Sequence, residues 1–144
     1  MKNKLKVYIS ILFCLFLISK KVNANEPFVF DITEIEVLQD GNQINGYNGG
    51  KVTSEDGSTI TAQNFFYNKL TNILETSGNV KYLDKVKNII ITTDKAIYLK
   101  NEEKIFTIGN SKVVNYNNTI KAYNLEYDKS KNTFEAKKNE YKIF

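Results

Sequence analysis

From Phe28 onward, short runs rich in Ile, Val, Tyr, Phe and Thr alternate with clusters of Asn, Asp, Gly and Lys, and no segment sustains a helical period. That alternation is the pattern of an all-β chain. Residues 59–67 read as a strand, 68–72 as a polar turn, 73–83 as the return strand and 84–88 as another turn. The series repeats: strand 89–98, polar turn 100–104, strand 105–114, then a shorter turn over 115–118. Each unit is a pair of antiparallel strands, and the pattern predicts about eight strands in all. Asp40-Gly41 and Asp56-Gly57 are the expected hairpin turns.

The units keep a common frame. Tyr67 is followed eleven residues later by Gly78-Asn79, Tyr98 by Gly109-Asn110, and Tyr127 by Lys138-Asn139, where the glycine is lost. Val37, with Asn48 and Gly49 downstream, is a degenerate first copy, so the anchors lie 30, 31 and 29 residues apart. A period of this length signals stacked supersecondary units, none of which buries its apolar face alone. Ile60, Ile91 and Ile120 precede the anchors by seven residues, Ala62, Thr93 and Ala122 by five, and Phe65, Ala96 and Leu125 by two; Leu74, Ile105 and Phe134 follow by seven. Intervening sites hold Thr61, Gln63, Lys95, Lys121 and Asn124. Because side chains two apart share a face, the copies stack their apolar positions into columns. The change of phase between the Ala62 and Phe65 positions predicts a bulge or bend in each long strand, and Gly78 and Gly109 mark a second bend or a close backbone approach. The columns are compatible with an ordinary closed core and with a sheet that folds over incompletely to leave an apolar groove.

The first residues change the charge argument. Lys2, Lys4 and Lys6 precede an apolar run over residues 7–18, and Val22-Asn23-Ala24 supplies small residues for cleavage before Asn25. Residues 1–24 are therefore expected to be a signal peptide and 25–144 a single β-repeat domain. Lys20 and Lys21 leave an uncleaved anchor as the alternative, and Phe13 before Cys14 argues against lipidation. The full chain carries a formal net charge of +4, but five of its 20 lysines and none of its 16 acidic residues lie before position 25, so the remainder carries −1. With no arginine to fork onto phosphate or read base edges, nucleic acid is a poor partner. Histidine and tryptophan are absent and Cys14 is the only cysteine. Histidine-dependent triads, cysteine nucleophiles and zinc sites built on His or Cys are thereby excluded from the domain. Glu55-Asp56 and Glu102-Glu103 fall in predicted turns and read as solvated turn charges, and no Asp-x-Asp-x-Asp calcium spacing occurs. The expectation is a non-enzymatic protein with no metal and no cofactor.

The order strand, Tyr, polar turn, strand, Gly-Asn-Val, as in ITAQNFFYNKLTNILETSGNVKYL over residues 60–83, resembles the periplasmic lipopolysaccharide-transport repeat of the organic-solvent-tolerance-like family. That family contains LptA and the periplasmic domain of LptD. ITTDKAIYLKNEEKIFTIGNSKVV over residues 91–114 follows the same frame, and the first and fourth copies match more loosely, so the resemblance spans roughly residues 28–144. It implies an open, folded-over roll of antiparallel hairpins (a β-taco or β-jellyroll) holding lipid A acyl chains between its walls. The matched lipid-facing positions are Ile60, Ala62, Phe65, Tyr67 and Leu74; then Ile91, Ala96, Tyr98 and Ile105; then Ile120, Leu125, Tyr127 and Phe134. The implied partners are lipopolysaccharide and other repeat proteins of the same transport system. Contact with those proteins is expected by end-to-end strand addition through residues 28–37 and 141–144. The implied location is the periplasm. Both a stand-alone LptA-like bridge and the N-terminal piece of an outer-membrane-associated LptD-like protein fit, with residues 28–50 closer to the latter. Two other readings compete: a structural or adhesive exported β-repeat with a closed core, and a carbohydrate-binding module using Tyr116 and Tyr123.

Overall fold

Runs of β-branched and aromatic residues separated by Asn-rich turns form nine strands in a computed structural model that describes residues 26–137. They are β1 Phe28–Leu38, β2 Gln43–Ser54, β3 Thr59–Ala62, β4 Asn64–Asn68, β5 Ile73–Asp84, β6 Ile89–Leu99, β7 Lys104–Asn115, β8 Asn118–Asp128 and β9 Thr133–Lys137. All pairings are antiparallel in one sheet of order β1, β2, β3, β5, β6, β7, β8, β9, with β4 between β2 and β5. β3 and β4 are the halves of one long predicted strand, interrupted at Gln63, so eight expected strands are observed as nine segments. The expected signal peptide and the 141–144 edge lie outside the described residues.

The predicted bends fall on one line across the sheet. Register shifts occur at Thr33 opposite Asn48-Gly49, and on either side of Gly78-Asn79 and Gly109-Asn110, facing Gln63, Asp94 and Tyr123. The paired residues of each bulge all take positive φ: Asn48 61° and Gly49 85°, Gly78 80° and Asn79 52°, Gly109 80° and Asn110 46°. Asn tolerates this region and Gly enters it without strain, which explains the repeated Gly-Asn pair. The bulges divide the sheet into a first wall (residues 28–32, 50–54, 59–62, 80–84, 89–92, 111–115 and 118–122) and a second wall (34–38, 43–47, 64–68, 73–77, 95–99, 104–108, 124–128 and 133–137).

The walls fold onto each other. Phe28 pairs with Ser54, and Tyr67 pairs with Ile44; ten residues of flat strand separate Ser54 from Ile44, about 33 Å. The Phe28 ring nevertheless lies 5.2 Å from that of Tyr67 and 5.6 Å from that of Tyr98, both edge to face. Tyr82 of the first wall similarly meets Tyr127 of the second at 6.1 Å. The fold is therefore all-β, a single antiparallel sheet creased along its bulges, with the core between its walls.

Candidate functional site

The strand register converts the sequence period into continuous columns. In the second wall, Val37 pairs with Ile44, Ile44 with Tyr67, Tyr67 with Leu74, Leu74 with Tyr98, Tyr98 with Ile105, Ile105 with Tyr127 and Tyr127 with Phe134. The degenerate anchor Val37 thus occupies the column of the tyrosines. In the first wall the matching column is Phe30, Val52, Ile60, Tyr82, Ile91, Val113 and Ile120. A third joins Phe65, Thr76, Ala96, Thr107 and Leu125, with Thr76 and Thr107 hydroxyls donating to the Ala96 and Leu125 carbonyls.

Eleven of the thirteen sequence-predicted residues are brought together in one buried cluster: Ile60, Ala62, Phe65, Tyr67, Leu74, Ile91, Ala96, Tyr98, Ile105, Leu125 and Tyr127. Phe134 packs against it partly buried, its ring stacked on Tyr127 at 4.5 Å. Ile120 stays 40% exposed at the far end of the first-wall column. A cleft of about 190 Å³, bordered by Val113, Ile120 and Phe134, opens there. At the opposite end Ile35 and Val37 are exposed too. The interior is thus filled by its own side chains through the middle, with Ile120 exposed at one end and Ile35 and Val37 at the other. Asn124, placed by alternation among the water-facing sites, is buried.

No protein-family model matches the chain, and no curated protein matches it in sequence. Among solved structures, it is similar to the crystal structure of LptH, described as the LptA homologous periplasmic component of the conserved lipopolysaccharide transport device from Pseudomonas aeruginosa. The TM-score is 0.69 at 15% identity, over 77% of this chain and 82% of that one. The fold is LptA-like.

The LptA-like walls end in turns, and these rims meet across the mouth of the interior. Each anchor tyrosine donates its hydroxyl to the residue five positions on: Tyr67 to Asn72 at 2.9 Å, Tyr98 to Glu103 at 2.7 Å and Tyr127 to Asn132 at 3.1 Å. All three acceptors are left-handed turn residues. Lys129, only 3% exposed, donates to Asp56 at 2.7 Å and to the Tyr98 hydroxyl at 2.7 Å, and lies 4.8 Å above the Tyr98 ring. Glu103 is 3.3 Å from the same ammonium. Burial opposes ionisation of Asp56, but hydrogen bonds from Lys129 and Ser58 outweigh it and hold the carboxyl well below its ordinary range. Burial likewise opposes the charges of Glu103 and Lys100. Their mutual hydrogen bond, reinforced by Tyr98 on Glu103 and by Glu55 on Lys100, lowers the first and raises the second. Asp56 and Glu103, read from sequence as solvated turn charges, do sit on turns with side chains 42% and 34% exposed, and both also belong to a rim ion-pair network. Glu102 remains exposed. One signal did lie in the sequence: Lys69, Lys100 and Lys129 each stand two residues after an anchor tyrosine.

Proposed function

We propose that this protein binds lipopolysaccharide in the periplasm and passes it along a bridge toward the outer membrane, without bond chemistry. The acyl chains would occupy the apolar interior, and the saccharide would remain in water. The observation that carries this reading is the pair of apolar columns, which run unbroken across the sheet and leave Val37 exposed at one end and Ile120 at the other. A core built only for stability has no need of exposed apolar ends, whereas a surface shared with end-to-end neighbours does. The LptA-like fold supports the same reading, because LptH is a component of a lipopolysaccharide transport device. Among the described residues, β1 and β9 pair on one side only, which leaves backbone groups for strand addition by other bridge components.

The filled middle of the interior favours the second reading, a closed structural repeat. A photo-activatable residue at Leu74, fully buried in the second-wall column, separates the two; Val86, 86% exposed on a turn, serves as control. Lipopolysaccharide adducts at Leu74 and none at Val86 are expected in cells exporting the protein. Folded, exported protein giving no adduct at Leu74 would establish the closed repeat.

A further inference from the structure

Three lysines at equivalent positions reach across the mouth from the second rim to acidic residues of the first. Lys69 meets Glu26 at 3.0 Å, Lys100 meets Glu55 at 3.2 Å and Lys129 meets Asp56 at 2.7 Å. The first rim answers with Lys87, whose ammonium donates to the Lys129 carbonyl. The contacts are graded: the lysine side chains are 34%, 12% and 3% exposed in that order. An exposed pair contributes little, so Lys69 is a weak tie. Lys129 is different: its ammonium is buried, and Asp56 is its carboxylate partner across the mouth, Glu103 lying on its own rim. Beneath these ties Phe28 fills the space between Tyr67 and Tyr98, and no acyl chain can share that space while the rims touch.

We infer that this lysine row is a latch which holds the groove shut and must part before a lipid can enter. The inference rests on the lipid-binding reading, and its test separates the two. Asp56 divides its work between its oxygens: Oδ1 accepts from the Ser58 amide and hydroxyl, while Oδ2 faces Lys129. Asp56→Asn keeps the turn acceptor and replaces the charge on Lys129 with an amide. Spin labels at Leu70→Cys and Val86→Cys, exposed on opposite rims, report rim separation in a Cys14→Ser background.

In that background, Asp56→Asn is expected to lengthen and broaden the label separation without lipid. It should also speed association with fluorescent lipid A about ten-fold, the factor that about 1.4 kcal/mol of lost clamping represents. Glu102→Gln, on the turn that carries Glu103, should change neither quantity; a longer separation or faster association in Asp56→Asn supports the latch, and a shorter separation with slower association overturns it. Asp56→Asn with native strand content and both quantities unaltered overturns it. If neither protein binds lipid A, the transport reading falls, and the label separations alone decide whether the carboxylate holds the rims.

Discussion

The anchor tyrosines are the residues on which packing and polarity meet. Their rings fill the interior and their hydroxyls end at turn acceptors, so each must stay protonated while folded. Burial, with the nearby charge of Glu26 adding to it, pushes Tyr67 up to about 12. Burial raises Tyr82, Tyr98 and Tyr127 as well. A phenol raised on folding contributes stability that is fully present below its ordinary value of about 10 and is lost as pH rises through the folded value. The urea midpoint should therefore hold up to about pH 10 and fall between about pH 10 and 12, with Tyr67→Phe removing part of that fall. A midpoint flat across this interval would contradict the assignment. The tyrosines were legible in the sequence because they recur at a fixed interval; their acceptors, Asn72, Glu103 and Asn132, stand at the fifth following position but were identified only from the structure. The partnership of Lys129 with Asp56 was not legible, because the two lie 73 residues apart and meet only once the walls have closed.

At the scale of the element, the Gly-Asn bulge is what turns a flat repeat into a folded one. Gly78 has φ +80°, and a Cβ there would lie 2.8 Å from Gln63 Cβ, an atom close to the backbone that cannot swing away. Gly78→Ala thus meets backbone strain and a clash together, and should cost on the order of 1–3 kcal/mol. Gly57→Ala has a similar φ but nothing within 4 Å of the added carbon, and should cost less. Thermal unfolding of the two variants measures the difference, and equal losses would show that φ alone matters. The bend was visible in advance as a phase slip between Ala62 and Phe65. Its consequence, that all the bends align into one crease, depends on register, which a single strand's sequence does not reveal. The alternation rule fails at Asn124 alone: its counterparts beside the crease, Asn64 and Lys95, stay exposed and half-buried, so position at the crease does not by itself bury the side chain.

For the whole molecule, the exposed residues at the column ends separate conduction from stability better than the buried middle can. Leu74 is 0% exposed, so Leu74→Asp places an unpaired charge in the core at a cost of several kcal/mol, and a loss of lipid binding there would be confounded with unfolding. Ile120 and Val37 are 40% and 59% exposed at opposite ends of the roll, and an aspartate at either can reach water. Ile120→Asp and Val37→Asp should each change stability by about 1 kcal/mol or less, while interrupting the apolar path at one end. If lipid moves through the interior, both variants lower delivery of lipopolysaccharide to the outer membrane, but they act differently on adducts at a photo-activatable Leu74. The variant at the receiving end starves the middle and its adducts disappear, whereas the variant at the donating end blocks release and its adducts accumulate. Opposite changes at the two ends would establish passage and give its direction. Unchanged delivery and unchanged adducts in both folded variants would mean that the exposed ends carry no lipid.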